Sequence, residues 1–312
     1  MNIFRFDLSR RRFLKNLGGL GLLTLFGPHN VSALIEKPII RRIPSTGEQL
    51  PVIGMGSWKT FDVADDSRAR SDRLQVLRTF FDMGGAVIDS SPMYGSSEEV
   101  IGHCLGRIGD RDKLFSATKV WIMGKQSGVK QMLNSEGYWG VQGFDLMQIH
   151  NMVDWEVHLD TLRDMKAEGR IRYIGITTSH GRRHKALEQA LKKESFDFVQ
   201  FTYNMVDREV EQLLLPLAAE RGIATIINRP FRRGDLFRYT EGKTLPSWAS
   251  EFDCHNWAQF FLKFIISHPH VTCTIPATSR VDHMQENMGA GFGRLPDPGT
   301  RQRMIEYFSA LT

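Results

Sequence analysis

The chain of 312 residues is poor in cysteine and has no long hydrophobic run. Its three cysteines are Cys104, Cys254 and Cys273, and their spacing matches neither a Cys-x-x-Cys pair nor a zinc site. The apolar segment 17–26 has ten residues, too few to cross a bilayer, which takes roughly 20. We therefore expect no disulfide framework, no metal site and no stable membrane span, and we interpret the cysteines as packing residues.

The excess of positive over negative charge is also small in residues 34–312. The formal net charge of the whole chain is +5, and residues 1–33 contain five basic side chains and one acidic side chain. Residues 34–312 therefore carry 35 basic and 34 acidic side chains. This balance offers no electrostatic footprint for a nucleic-acid partner. No low-complexity tract or linker interrupts residues 34–312, which we expect to fold as a single domain.

The first 33 residues have the organisation of an export signal. The run Ser9-Arg10-Arg11-Arg12-Phe13-Leu14-Lys15 resembles the twin-arginine motif Ser-Arg-Arg-x-Phe-Leu-Lys at every specified position. Val31-Ser32-Ala33 has the small-x-small pattern of a signal-peptidase site. We predict that residues 1–33 are a twin-arginine (Tat) signal peptide, and that the Tat translocase exports the folded protein to the periplasm of a Gram-negative bacterium. The alternative is an N-terminal amphipathic helix, although the apolar residues here form no helical stripe.

Short apolar runs alternate with amphipathic segments along residues 34–312. Eight strands that alternate with helices predict an all-parallel sheet, and eight is the number that closes a (β/α)8 TIM barrel. Residues 39–53 predict a hairpin ahead of the first barrel strand. Ser96 and Glu99 have the spacing of a capping box, and Asp154 is placed to cap a later helix. The eight predicted strands lie at residues 52–56, 86–89, 114–119, 144–149, 172–177, 197–201, 223–227 and 271–275.

Four polar side chains fall where predicted strands end. Asp89 ends the second strand, Lys119 ends the third and His150 follows the fourth, while Tyr94 lies five residues after Asp89. Because the active sites of TIM barrels lie at the C-terminal ends of the strands, we expect these four residues to meet. A neighbouring ammonium lowers the pKa of a tyrosine, so Lys119 would make Tyr94 a proton donor nearer neutral pH. Asp89 would hold the charge of Lys119, and His150 would donate a hydrogen bond to a carbonyl oxygen.

A set of short motifs lies at and around these positions: Gly54-Met55-Gly56-Ser57-Trp58, Asp89-x4-Tyr94-Gly95-x2-Glu98, Thr118-Lys119, Asp145-Leu146-x2-Ile149-His150, Gly169-Arg170-Ile171-Arg172-Tyr173-Ile174-Gly175, Gln200-x2-Tyr203-Asn204, Ile275-Pro276 and Glu286-Asn287. With these motifs the sequence resembles the aldo-keto reductase family over residues 39–292. The resemblance implies a catalytic tetrad of Asp89, Tyr94, Lys119 and His150. It also implies an NAD(P)-dependent oxidoreductase that reduces an aldehyde or ketone to an alcohol, or catalyses the reverse reaction, with Tyr94 as general acid/base.

A nicotinamide dinucleotide is the cofactor that this resemblance implies. It is bound without the Gly-x-Gly-x-x-Gly motif, which is missing after the first predicted strand. We favour NADP over NAD, because the guanidinium of Arg280 can bind a 2′-phosphate. The family often has Gly-x-Ser-Asn after the fifth strand, where this chain has Gly175-Ile176-Thr177-Thr178. The positions that match cofactor contacts of the family are Ser57, Trp58, Gln200, Pro276, Ala277, Thr278, Arg280, Glu286 and Asn287. Thr177, Thr178, Asn228 and Pro230 are further expected cofactor contacts, in segments where this chain departs from the family pattern.

The mouth of the predicted barrel is expected to be apolar. Trp58, Trp121 and Met152 would line it, which suits a small-molecule carbonyl substrate with a hydrophobic arm. Two other functions remain open: Lys119 as the Schiff-base lysine of an aldolase-type barrel, and a non-catalytic periplasmic nucleotide-binding partner protein. Because a periplasmic reductase finds no free nicotinamide pool, we also predict that the folded barrel retains its dinucleotide tightly during export.

Overall fold

The computed structural model describes residues 37–109 and 112–312. Within these ranges, two short strands form an antiparallel hairpin and eight further strands form a parallel sheet. The hairpin consists of β1 (Ile40–Arg42) and β2 (Gln49–Pro51). The parallel strands are β3 (Met55–Gly56), β4 (Val87–Asp89), β5 (Phe115–Val120), β6 (Phe144–Ile149), β7 (Ile171–Thr177), β8 (Phe198–Thr202), β9 (Ala224–Asn228) and β10 (Cys273–Thr274).

The eight parallel strands close into a barrel. Strands that follow one another in the chain are neighbours in the sheet, from β3 to β10. Bridges between Ile53 and Thr274 and between Gly56 and Ala277 then join the last strand to the first. The predicted (β/α)8 TIM barrel and its N-terminal hairpin are therefore confirmed, and the predicted strand ends differ from the observed ones by at most three residues.

The helices lie between the strands or after the last one, with apolar sides turned towards the barrel. In the first helix, the buried residues Val76, Leu77, Phe80 and Phe81 recur at the spacing of one helix face. The helices of the described ranges are α1 (Ser67–Asp82), α2 (Ser97–Ile108), α3 (Lys125–Trp139), α4 (Trp155–Ala167), α5 (His184–Lys193), α6 (Leu214–Glu220), α7 (Asp235–Arg238), α8 (Trp257–Ile266), α9 (Val281–Gly289) and α10 (Pro298–Ser309).

The hairpin closes the N-terminal end of the barrel. Ile43 and Leu50 are buried and pack in one cluster with Phe115, the first residue of β5. The hydroxyl group of Thr46, between the two hairpin strands, lies 2.9 Å from the hydroxyl group of Tyr173 near the start of β7. The opposite, C-terminal end of the barrel is thereby left for a site.

Two side chains predicted to cap helices have other partners. Ser96 precedes α2, but its hydroxyl group donates to Asp62 Oδ1 at 2.9 Å and accepts from the amide of Ala64 at 2.8 Å. Asp154 precedes α4, but its Oδ2 accepts from the backbone amide of Gly124 at 2.7 Å. The predicted side-chain caps are therefore wrong: both residues stand at the helix start, but their side chains fasten loops that follow barrel strands.

The remaining expectations from the sequence concern disulfides, metal sites, membrane spans and the signal peptide. Cys104, Cys254 and Cys273 are buried thiols without a disulfide partner. In the described ranges, no group of His, Cys, Asp and Glu side chains is arranged to hold a metal ion. No helix in those ranges is both long and apolar enough to cross a bilayer. The predicted signal peptide, residues 1–33, lies outside the described residues.

Candidate active site

A cavity of about 830 Å³ opens at the C-terminal end of the barrel. Asp89, Tyr94 and His150 contribute to its wall, and each lies at or just after the end of a strand. Because the strands are parallel, their C-terminal ends share one edge of the barrel, which brings these residues together. The volume falls within the range of roughly 300–1,000 Å³ that is usual for small-molecule and cofactor sites.

Lys119 is completely buried behind this wall and forms an ion pair with Asp89. Its Nζ donates to Asp89 Oδ2 and, at 2.7 Å, to the backbone oxygen of Ser90. The second carboxylate oxygen of Asp89 accepts from Gln148 Nε2 at 2.8 Å and from Gln200 Nε2 at 3.0 Å. Burial disfavours the ammonium, but the carboxylate of Asp89 favours it more, by its charge and by a hydrogen bond, and the pKa of Lys119 is raised. Lys119 is therefore a fixed cation beside the cavity.

The side chain of Tyr94 lies next to this cation. The Nζ atom of Lys119 is 5.4 Å from the centroid of the tyrosine ring. Burial raises the pKa of Tyr94 above its ordinary value of 10, and this effect outweighs the opposing influence of Lys119. Lys119 does act to lower the pKa of Tyr94, as predicted, but the predicted net lowering is wrong. The phenol stays protonated at neutral pH, which is the form that a proton donor requires.

His150 adjoins Tyr94 and is held as a neutral ring. The two rings meet edge to face with their centroids 5.8 Å apart. Burial, reinforced by the charge of Lys119, lowers the pKa of His150 to about 2. Its Nδ1 atom lies 2.9 Å from the hydroxyl oxygen of Ser91. The imidazole is therefore uncharged across the physiological range and is fixed through one of its two nitrogens.

Most of the predicted cofactor positions belong to the cavity wall. Thr178 and Pro276 lie beside it and are tied to the barrel through their backbones. The amide of Thr178 donates to the backbone oxygen of Gln200 at 2.9 Å, and the backbone oxygen of Pro276 accepts from the amide of Gly56 at 3.1 Å. The predicted positions that line the cavity are Ser57, Trp58, Thr177, Gln200, Asn228, Pro230, Ala277, Thr278, Glu286 and Asn287.

Arg280 lies outside the cavity lining, at the start of α9. Its exposed guanidinium forms an ion pair with Asp282, two residues later, and Nε donates to Asp282 Oδ1 at 2.9 Å. The guanidinium that we expect to bind a 2′-phosphate is therefore paired with the carboxylate of Asp282. His283, the next residue, lines the cavity.

The three residues predicted for the substrate mouth have different environments. Trp58 lines the cavity. Trp121 is 40% exposed, and its ring centroid lies 6.3 Å from that of His150, so it stands at the rim. Met152 is buried in the hydrophobic core, because the backbone turns into the left-handed region at Asn151 and Met152. The structure thus places Trp58 and Trp121 near the opening and Met152 beneath it.

Three cations of the wall were not predicted from the sequence. Lys59, Arg229 and Arg233 line the cavity. The guanidinium carbon of Arg233 lies 4.5 Å from the ring centroid of Trp58. Arg229 and Arg233 both have positive φ angles, of 52° and 62°. Such backbone strain is concentrated at functional loops. The signal was present in the run Asn228-Arg229-Pro230-Phe231-Arg232-Arg233, which places three arginines directly after a strand.

Several buried polar atoms around the cavity have no hydrogen-bond partner. They include Oδ1 of Asn151, Oγ1 of Thr178 and Nε of Arg229. Native proteins usually pair such atoms, so unpaired ones that cluster at a cavity indicate capacity for a polar ligand. Burial, together with the charge of Arg233, lowers the pKa of Arg229. An anionic ligand would relieve this crowding of positive charge.

Comparison with known proteins agrees with this geometry. The model of the aldo/keto reductase family matches residues 52–299. Aldo-keto reductase YhdN of Bacillus subtilis is 26% identical over 209 residues, which are 62% of this chain and 62% of that protein. Methylglyoxal reductase YeaE of Escherichia coli is 26% identical over 247 residues, 76% of this chain and 84% of that protein.

A solved structure shows the same fold. The crystal structure of an aldo/keto reductase from Klebsiella pneumoniae in complex with NADP and acetate matches with a TM-score of 0.70 and 22% identity. The match covers 88% of this chain and 96% of that one. Since the family model spans most of the chain and all four residues of the predicted tetrad, this protein belongs to the aldo/keto reductase family of oxidoreductases.

Proposed function

We propose that the protein interconverts an aldehyde or ketone and its alcohol in the cavity at the C-terminal end of the barrel, with NADP as cofactor. One observation carries the proposal: the completely buried Lys119–Asp89 pair lies directly behind Tyr94, which shares the cavity wall with His150. A buried ion pair is a weak source of stability, so its position beside a titratable phenol favours a role in proton transfer.

The cavity wall fits a nicotinamide dinucleotide. Lys59, Arg229 and Arg233 provide cations for a pyrophosphate, since guanidinium and ammonium groups bind phosphate oxygens. Gln200 and Asn228 provide amide groups for polar parts of the nucleotide, and the unpartnered hydroxyl group of Thr178 lies beside the wall. When bound, the reduced nicotinamide supplies the hydride for the carbonyl carbon. The Klebsiella relative, solved with NADP, supports the choice of this nucleotide.

The chain itself contributes proton transfer and electrostatic stabilisation. Tyr94, protonated at neutral pH, donates its proton to the carbonyl oxygen as the bond to carbon is reduced. The phenolate that remains is stabilised by Lys119, whose charge Asp89 holds in place. His150 is neutral and donates a hydrogen bond to the same oxygen. In the reverse direction, the phenolate accepts the proton of the alcohol.

The alternative reaction of Lys119 is not favoured by its surroundings. A Schiff base requires a neutral amine that can attack a carbonyl carbon. Here the pKa of Lys119 is raised, and its Nζ is completely buried between Asp89 and the backbone of Ser90. The ammonium form is therefore stabilised and withheld from the cavity.

We further propose that residues 1–33 are a Tat signal peptide and that residues 34–312 are exported as a folded barrel to the periplasm. The twin-arginine motif and the small-x-small site support this proposal. A barrel loaded in the cytoplasm must then keep its nucleotide by tight binding. The non-catalytic alternative shares this requirement but predicts no turnover of any carbonyl compound.

One preparation tests these proposals together. The full chain is expressed in a Gram-negative host, purified from the periplasmic fraction and denatured, and the released nucleotide is identified by mass spectrometry. We expect NADP or NADPH, and turnover of carbonyl compounds that Tyr94→Phe reduces by at least a hundredfold. Release of no nucleotide would contradict tight retention, and unchanged turnover by Tyr94→Phe would contradict the assigned proton donor. A protein found only in the cytoplasm would contradict export.

A further inference from the structure

Ser91 is a buried residue whose hydroxyl group lies against the ring of His150. It is completely buried in the loop after β4, between Asp89 and Tyr94 in the chain. Its Oγ atom lies 2.9 Å from His150 Nδ1 and accepts a hydrogen bond from the amide of Met93 at 3.2 Å. No other described residue forms a hydrogen bond with this hydroxyl group. Any hydrogen-bonding role of the Ser91 side chain therefore acts through His150 or the backbone of Met93.

The number of available protons decides the direction of the Ser91–His150 hydrogen bond. A serine hydroxyl group has one proton and two lone pairs, and a neutral imidazole has one protonated nitrogen. If Nδ1 carried the proton, Oγ would accept from both Nδ1 and Met93, and its own proton would lack an acceptor among the described residues. If Nδ1 accepts, the hydroxyl proton, the Met93 amide and Nδ1 are all paired. Because unpaired buried polar groups are costly, the second arrangement is favoured.

The ring is then protonated at its other nitrogen. His150 lines the cavity, and Nδ1 is the nitrogen that Ser91 engages, so Nε2 is the nitrogen available for a ligand. An imidazole protonated at Nε2 donates a hydrogen bond while it remains uncharged. The opposite tautomer would present a lone pair at Nε2, which repels a carbonyl oxygen.

We propose that Ser91 is a positioning residue that fixes His150 as the Nε2-protonated tautomer and thereby makes it a donor to the substrate carbonyl oxygen. This proposal rests on the proposed function, because it concerns how the same site recognises its substrate. Ser91 itself touches neither substrate nor cofactor. Its hydroxyl group orients the ring through Nδ1, in the way that a partner of one histidine nitrogen selects the state of the other.

The tautomer can be measured directly by NMR. The protein is labelled with 15N-histidine, and the two ring nitrogens are distinguished by their chemical shifts and couplings at neutral pH. The signals that disappear in His150→Asn belong to His150. In the wild type we expect an unprotonated Nδ1 and a protonated Nε2. A protonated Nδ1 would overturn the proposal, whatever the activity of the protein.

Variants then connect the tautomer with catalysis. Ser91→Ala removes the donor to Nδ1, and we expect a mixture of the two His150 tautomers. We also expect kcat to fall roughly tenfold, which corresponds to about 1.4 kcal/mol, the contribution of one hydrogen bond. Ser91→Thr retains a hydroxyl group and should restore both. Ser116→Ala is the matched control, since it deletes another buried hydroxyl group, one that donates to Asp145 in β6.

The outcomes separate positioning from a purely structural role. If Ser91→Ala lowers the melting temperature as Ser116→Ala does, but leaves the Nε2-protonated tautomer and kcat unchanged, Ser91 only fills space and the proposal is wrong. A higher KM for the nucleotide with unchanged kcat would also overturn it. If the wild type turns over no carbonyl compound, the proposed function fails, while the NMR result still decides the tautomer.

Discussion

Lys119 donates a hydrogen bond to the carboxylate of Asp89, and both side chains are buried, at 0% and 2% exposure. The pair lies where β4 and β5 end side by side. Asp89 also accepts from two glutamine side chains, so three donors surround one carboxylate. Such an arrangement holds a positive charge at a fixed distance from Tyr94.

Loss of Lys119 is expected to abolish activity and to destabilise the barrel. Lys119→Met leaves the carboxylate of Asp89 buried without its cation, which should lower the free energy of unfolding by about 3–5 kcal/mol. The double variant Lys119→Met/Asp89→Asn removes both charges and retains an oxygen for the glutamine donors. It should regain most of this stability but no turnover. Urea unfolding and steady-state assays measure both, and a double variant no more stable than Lys119→Met would contradict the ion pair.

His150 should make the protein sensitive to acid. Its pKa is about 2 in the folded state and near 6.5 in an unfolded chain, so the neutral ring favours folding above pH 6.5, and this contribution declines as the pH falls. Between pH 7 and pH 5 the loss amounts to about 2 kcal/mol. His150→Asn should lose correspondingly less stability over this range, as followed by urea unfolding at each pH. His255→Asn, which replaces an exposed histidine, is the control.

Discrimination between NADP and NAD should depend on Arg280 and Asp282. Arg280→Ala removes the guanidinium and should weaken NADP binding by about tenfold, the lower range for a charge-assisted hydrogen bond, with NAD unaffected. Asp282→Ala frees Arg280 from its ion pair and should strengthen NADP binding relative to NAD. Calorimetric titration of protein stripped of nucleotide gives both affinities. Arg303→Ala is the control, an exposed arginine paired with Glu251. Equal losses for NADP and NAD would place Arg280 elsewhere than at the 2′-phosphate.

The sequence predicts the barrel and the meeting of Asp89, Lys119 and His150 because both depend on periodic features. Asp89, Lys119 and His150 each end or follow an apolar run, and parallel strands bring such ends to one edge whatever the loops do. The side chain of Ser96 was not predictable in the same way. Its partner Asp62 lies 34 residues earlier in the chain, in another loop, and a local capping pattern carries no information about that contact.

The pKa of Tyr94 and the position of Met152 also differ from the prediction, each for a local reason. Lys119 lowers and burial raises the pKa of Tyr94, and only the structure shows that burial prevails. The sequence predicts Met152 at the mouth, but left-handed backbone angles after β6 turn it into the core. Neither the depth of a side chain nor a positive φ angle in a non-glycine residue follows from sequence spacing.

We expect Arg229 to lower the free energy of unfolding of the nucleotide-free protein and to raise its affinity for a dinucleotide. Its guanidinium is crowded by Arg233, and its Nε lacks a partner, so Arg229→Ala should leave the free energy of unfolding equal or higher. The affinity for NADP and for NAD should fall alike, by about tenfold, because a pyrophosphate is common to both. Urea unfolding and calorimetric titration of nucleotide-free protein give the two quantities. Arg221→Ala is the matched control, because Arg221 also donates to a backbone oxygen but precedes β9 rather than following it. A loss of NADP affinity alone would assign Arg229 to the 2′-phosphate, and unchanged affinity for both would exclude it from the nucleotide site.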